Sequence, residues 1–134
     1  MGSRYVRKLL DIGIMSNRKM KGWREMANYK EITTLPEWET VLQSSKEKPV
    51  LLFKHSTTCP ISAAAYREFT SFETEVEAYL VKVIENRPVS NEIERVLGVQ
   101  HQSPQAFVLV NEEVKWHASH RNITKKNLTE ALEK

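Results

Sequence analysis

The sequence predicts an α/β fold: one domain whose mixed sheet of about four strands is flanked by helices on both faces. Three observations carry this reading. Strand-like apolar runs alternate with helical patterns, the order that parallel βαβ units produce. Two late β-rich runs, Gln105–Val110 and Val114–Ala118, stand close enough together to form an antiparallel hairpin. A chain of 134 residues, 40% hydrophobic and 28% charged, suffices for one core and is too short for two of ordinary size.

Each element has its own signal. Thr34-Leu35-Pro36-Glu37 has the form of a capping box, and Leu35, Trp38, Val41 and Leu42 follow at helical spacing, which predicts a helix over 35–44. Lys46-Glu47-Lys48-Pro49 ends it. The apolar run Val50–His55 suits a central strand covered on both faces. After Cys59, the residues Ile61, Ala64, Ala65, Phe69, Phe72 and Val76 recur in steps of three and four, which predicts a helix of several turns. Tyr79–Ile84 is rich in β-branched residues and reads as a second strand. Ser90 is suited to cap a short helix with the stripe Ile93, Val96 and Leu97, and Gly98 to end it in the left-handed region. The hairpin turns at Asn111-Glu112-Glu113, and Thr124 caps a closing helix that carries Leu128, Ala131 and Leu132.

Charge is unevenly placed. Residues 1–26 hold seven basic side chains against two acids, so that of the formal net charge of +3 the remainder of the chain carries −2. The body gives no electrostatic argument for nucleic acid or for an anionic membrane. The first 27 residues lack a clean amphipathic period and read as a basic, poorly ordered extension, leaving 28–134 as the domain. No segment approaches the run of about 20 apolar residues that a membrane span requires. One cysteine excludes an internal disulfide and a multi-cysteine zinc site, and with no export signal in view it fits a cytoplasmic, reducing compartment.

That cysteine, Cys59, stands where a strand gives way to a helix opening with Pro60. Unpaired N–H groups and the positive end of the helix dipole favour thiolate over thiol at such a place, and the thiolate is the nucleophile. The sulfur is suited to accept from the N–H of Ile61 or Ser62, while Pro60 lacks a donor where none is needed. The Ser62 hydroxyl is within reach of a hydrogen bond to the sulfur but unable to form a disulfide.

The strand Val50–His55, the tetrad Cys59-Pro60-Ile61-Ser62 and the pair Ser103-Pro104 before a strand resemble the thioredoxin-like fold. With Thr58 and the surrounding chain, the tetrad is similar to the monothiol bacilliredoxins, the YtxJ-type thioredoxin-like family of bacillithiol-producing bacteria, over about residues 28–134. The resemblance implies a cis Pro104 facing the active sulfur, the backbone of Ser103 placed to bond an extended substrate, and Ser62 where dithiol relatives carry a resolving cysteine. It further implies a thiol-disulfide oxidoreductase whose Cys59 takes bacillithiol from S-bacillithiolated client proteins and is released by a second low-molecular-weight thiol. Bacillithiol would be a co-substrate, with no tightly bound cofactor. Two other readings compete: a module sharing a [2Fe-2S] cluster between two subunits, and a non-enzymatic adaptor that binds peptides beside Pro104.

Further residues are weaker candidates. Lys54 and His55 would raise the local positive potential, His101 would approach from the Pro104 loop, and Lys54 and Arg67 would meet carboxylates of a small thiol. His117 and His120 have no cysteine or carboxylate at metal spacing and are assigned no metal. Trp38 and Trp116 read as core or partly buried aromatics, and Asn122-Ile123-Thr124 as a helix start rather than a glycosylation acceptor.

Overall fold

The computed structural model describes residues 29–133, so the reading of the basic extension lies outside the described residues. The elements run β1 (Lys30–Glu31), α1 (Leu35–Ser45), β2 (Val50–His55), α2 (Pro60–Ser71), β3 (Glu77–Lys82), α3 (Arg87–Leu97), β4 (Gln105–Val110), β5 (Glu113–Ser119), a 3₁₀ turn (His120–Asn122) and α4 (Lys125–Glu133). They form one sheet in the order β1-β3-β2-β4-β5. β1, β3 and β2 are parallel, while β4 runs antiparallel to β2 and β5 antiparallel to β4. The sheet therefore has five strands rather than four; β1 is two residues long, too short to leave a periodic signal.

Strand periodicity divides the core in two. Because successive side chains on a strand point to opposite faces, Leu51 and Phe53 of β2 join Ala65 and Phe69 of α2 and Leu128 and Ala131 of α4 on one face. Val50 and Leu52 join Trp38 and Val41 of α1 and Val89 and Ile93 of α3 on the other. All six residues of β2 are buried, as expected of a strand paired on both sides and covered on both faces.

The caps explain where the helices begin and end. The capping box of α1 is present, with the Thr34 hydroxyl accepting from the Glu37 N–H at 3.3 Å and the Glu37 carboxylate accepting from the Thr34 N–H at 3.2 Å. Thr34-Leu35-Pro36-Glu37 thus does locally what its sequence says. Thr124 opens α4 by accepting from the Asn127 N–H at 3.1 Å. Gly98 ends α3 at φ +70°, a left-handed conformation that costs a residue with a Cβ about 1 kcal/mol.

Three boundaries differ from the sequence reading: α2 ends at Ser71 with Phe72 as its C-cap, so Val76, read as part of the helical stripe, lies in the connection to β3. Ser90 does not cap α3: the helix starts a turn earlier, at Asn86 with Pro88 in its first turn, and Ser90 is fully buried within it against the sheet. A proline early in the helix is the signal that outranks the serine. β3 covers Glu77–Lys82 instead of Tyr79–Ile84, because its register is set by pairing with Val50–His55; Ile84 lies beyond the ladder, 48% exposed. Among the described residues no helix is long and apolar enough to cross a membrane.

Candidate functional site

β2 places the site. Its last two residues, Lys54 and His55, face opposite sides of the sheet, and the four-residue connection Ser56-Thr57-Thr58-Cys59 carries the chain from its end into α2. The Cys59 N–H donates to the Ser56 carbonyl at 3.3 Å, closing a tight turn, and the Cys59 carbonyl accepts the first helical bond from Ala63 at 2.9 Å. Cys59 is the N-cap residue of α2, partly exposed, with Pro60 at the first helical position as the sequence predicts.

Opposite this turn, the Ser103–Pro104 peptide is cis. Gln105 pairs with Lys54, so Pro104 stands at the same end of the sheet as the loop that holds Cys59. The buried Pro104 turns its carbonyl to the His120 N–H at 3.1 Å, which ties the 3₁₀ turn to the proline loop. The Ser103 hydroxyl is buried and has no hydrogen-bond partner among the described residues. Cys59 and the Ser103-Pro104 pair are thus brought to one end of the sheet by the antiparallel pairing of β2 with β4.

The expected bonds to the sulfur differ. The Cys59 side chain makes no capping bond to the first turn of α2. The Ser62 hydroxyl, fully buried at the third helical position, instead accepts from the Ser56 N–H at 2.9 Å and shares a 2.7 Å bond with His55 Nδ1. The physical reason is burial: an unpaired amide and imidazole nitrogen inside the fold cost more than a weak bond to sulfur returns. His55 is itself clamped, its ring stacked on Tyr66 at 4.7 Å and on Phe53 at 5.6 Å. Tyr66 in turn shares a 2.8 Å bond with the Tyr29 hydroxyl. Burial and, after it, the neighbouring Lys82 ammonium hold the His55 imidazole below its ordinary pKa, against a smaller opposing pull from Glu85.

Lys54 points the other way and does not reach the site surface. It is fully buried, with its ammonium 3.4 Å from the Ser90 carbonyl of α3, and burial lowers its pKa to about 8, with Glu94 opposing and Arg87 assisting. The expectation that Lys54 meets a carboxylate of a small thiol is therefore corrected. His101 also turns to α3, its N–H donating to Glu94 at 2.8 Å and its Nδ1 standing 3.5 Å from the Ser90 hydroxyl. Burial first, then the positive charge of Lys54, lowers its pKa.

Arg67 is better placed. A cavity of about 460 Å³ opens beside Cys59, walled by Pro60, Ile61 and Arg67 of α2 on one side and by His120, Arg121 and Thr124 on the other. Two arginines, one histidine and Glu68, whose carboxylate accepts from the Lys125 N–H at 2.9 Å, therefore line a pocket that begins at the residues following the sulfur. Arg121 had no sequence signal, because it reaches α2 only through the 3₁₀ turn that Pro104 anchors. The His55–Ser62 bond had one: alternation along β2 sends His55 to the α2 face, where the third helical residue looks back at the strand end. Among the described residues, no group of three or more His, Cys, Asp or Glu is arranged to hold a metal ion.

Known proteins agree with this geometry. Thioredoxin of Fasciola hepatica superposes with a TM-score of 0.62 at 13% identity, covering 78% of this chain and 96% of that one. Thioredoxin of Trypanosoma brucei brucei superposes at 0.63 and 12% identity, covering 86% and 100%. These likenesses show the fold. A solved structure described as a candidate oxidoreductase with a thioredoxin fold is 36% identical with a TM-score of 0.72 over 78% of this chain and 93% of that one. The family profile of monothiol bacilliredoxin BrxC matches residues 30–128. A thiol oxidoreductase of thioredoxin fold accounts for the cysteine, the cis proline and the sheet together, and the chain belongs to the monothiol bacilliredoxin family.

Proposed function

We propose that this oxidoreductase removes bacillithiol from S-bacillithiolated client proteins through Cys59. The thiolate attacks the bacillithiol sulfur of the mixed disulfide; the client sulfur leaves as thiolate and takes a proton from solvent, and a Cys59–bacillithiol disulfide remains. A second low-molecular-weight thiol then attacks that disulfide and frees Cys59. One disulfide is exchanged for another at each step, so no tightly bound cofactor enters.

The observation that carries this reading is the pairing of a partly exposed Cys59 with a buried serine, Ser62, where a resolving thiol would otherwise stand. Such a site can accept a mixed disulfide and cannot expel it by itself. The cavity beside Cys59 has Arg67 and Arg121 in its walls against the one carboxylate of Glu68, an excess of positive charge that supports a small thiol bearing carboxylates as the transferred group. The Ser103 backbone, at the sheet end that also presents Cys59, supports an extended client segment laid across it.

Intact-mass analysis tests the proposal. Reduced protein mixed with a bacillithiolated client is expected to gain one bacillithiol mass while the client loses one, and Cys59→Ser abolishes both changes. Client that keeps its adduct beside fully reduced protein overturns it.

A further inference from the structure

We infer that Gln105 is a positioning residue for client recognition: its buried amide holds the backbone of Gln100 and Gln102 so that the Ser103 backbone stays open to an extended segment beside Cys59. The inference rests on the reading of that backbone as the client contact under the proposed function.

Residues 98–104 join α3 to β4 without regular structure, and positions 100–103 are Gln, His, Gln and Ser. None of the four brings an apolar side chain to bury, so hydrophobic packing cannot fix them. Side chains hold their backbone instead. Gln105 Nε2 donates to the Gln100 carbonyl at 3.1 Å, and Gln105 Oε1 accepts from the Gln102 N–H at 3.3 Å. Between these bonds, the His101 N–H donates to the Glu94 carboxylate at 2.8 Å. Three consecutive residues are thus each tied through one backbone group to a neighbouring side chain.

Ser103 differs from them. Among the described residues, neither its N–H nor its carbonyl makes a hydrogen bond, while Pro104 after it is pinned through its carbonyl to the His120 N–H. The loop therefore offers a free peptide edge, bounded on both sides by bonded residues, at the sheet end that presents Cys59. Backbone groups left open in this way pair with an added extended strand.

Gln105 connects that edge to the rigid part of the fold. It is the first residue of β4, paired with Lys54 on one side and Ser119 on the other, so its own backbone is fixed by the sheet. The ladder asks nothing of its side chain, and the next four residues, Ala106 to Leu109, are all apolar and buried. Gln105 is nevertheless only 1% exposed. An amide enclosed there is costly unless its donor and acceptor ends are both paired, and the loop arrangement observed supplies a partner for each. A shift of residues 100–102 would strand the amide, so the sheet enforces one loop arrangement through this side chain.

The test compares two disulfides that Cys59 can attack. One is the mixed disulfide of an extended cysteine peptide with thionitrobenzoate, and the other is the symmetric disulfide of thionitrobenzoate itself. In both, the Cys59 thiolate forms the new disulfide and coloured thionitrobenzoate leaves. Neither contains bacillithiol, so the result stands whether or not bacillithiol removal does. Gln105→Met keeps the length and fills the site but removes both bonds. It is expected to lower the rate constant for the peptide disulfide about fivefold and to leave that for the small disulfide within about twofold. Glu94→Ala is expected to act in the same direction, and Glu94→Gln, whose amide oxygen accepts from the His101 N–H again, to restore the rate. That restoration separates the hydrogen bond from the charge that Glu94 sets against Lys54. Circular dichroism checks that each variant is folded. Should Gln105→Met not fold, the Glu94 pair carries the test, and a glutamine variant as slow as the alanine one overturns the inference. In a folded Gln105→Met, a peptide rate constant within about twofold of the unmodified protein overturns it, as does an equal fall with both disulfides.

Discussion

Lys54 and His55 are neighbours in the chain and belong to different worlds: Lys54 reaches into the α1/α3 side of the sheet toward the Ser90 carbonyl, and His55 into the α2 side toward Ser62. Strand alternation alone separates them. The result is a positive charge buried beneath one face of the sheet end and a neutral imidazole beneath the other, with Cys59 four residues beyond.

The buried Lys54 has a measurable cost. Its pKa of about 8 in the folded chain lies below the ordinary 10.5, so the unfolded chain binds more protons between those values and stability rises with pH across that window. Below about pH 8 the full penalty is present. Lys54→Met, which keeps the volume and removes the charge, is expected to stabilise the protein at pH 7 by on the order of 2–3 kcal/mol and to flatten the rise between pH 8 and 10. Urea denaturation of both proteins at pH 7 and pH 10 checks this. A variant less stable than its parent at pH 7 would show that the Ser90 carbonyl and Glu94 repay the desolvation.

The hairpin between β4 and β5 offers a prediction remote from the site. Asn111 and Glu112 both adopt positive φ, 54° and 67°, a pair of conformations for which Asn-Gly is the favoured sequence. Glu112→Gly is expected to raise stability by about 0.5–1 kcal/mol and the melting temperature by a few degrees. The ion pair it removes, Lys46 to Glu112 at 3.5 Å, is solvent-exposed and offsets little of that gain. The Glu112 N–H keeps its bond to the Ser45 hydroxyl at 2.9 Å, so the turn stays docked on α1. Thermal unfolding followed by circular dichroism decides the sign.

What could be read in advance follows the range of the interactions. The capping box at Thr34, the left-handed Gly98 and the Thr124 cap are local, set by residues a few positions apart, and all three stand where the sequence puts them. β1 was invisible because two residues carry no period, and its place at the sheet edge is decided by β3. Ser90 was misread because a serine that faces the sheet from inside a helix has the same local signature as one that caps it. At the site, Cys59 and Pro60 were legible from the strand-to-helix junction, whereas the partner of Ser62 was signalled only by the alternation of β2, which sends His55 to the α2 face, and burial decides that His55 takes the hydroxyl. Arg121 enters the cavity wall only because the Pro104 carbonyl holds the 3₁₀ turn against α2.

If Arg67 and Arg121 serve a carboxylate-bearing thiol, charge reversal should discriminate between leaving thiols rather than impair all exchange. With a bacillithiolated client, Arg67→Glu and Arg121→Glu are each expected to slow transfer to Cys59 about tenfold. With the same client carrying an uncharged thiol such as 2-mercaptoethanol, the change is expected to stay within about twofold. Raising the salt concentration should narrow the first difference, because the cavity is open to solvent. Equal loss with both adducts would mean that the arginines shape the groove without reading charge.

The monothiol character itself can be reversed at one position. Ser62 occupies the third residue of α2, three residues after the Cys59 N-cap, and is fully buried. A sulfur fits there with modest strain, giving up the bonds to Ser56 and His55 at a cost of about 1–3 kcal/mol. In Ser62→Cys, the bacillithiol taken up by Cys59 is expected to be displaced at once by the new thiol, because the attack is intramolecular and the two groups share one turn. Mass analysis after reaction with a bacillithiolated client should then show no bacillithiol adduct, but a chain lighter by two hydrogens, and free bacillithiol in solution without any second thiol added. A persistent adduct on Cys59 in that variant would place the two side chains out of reach of one another.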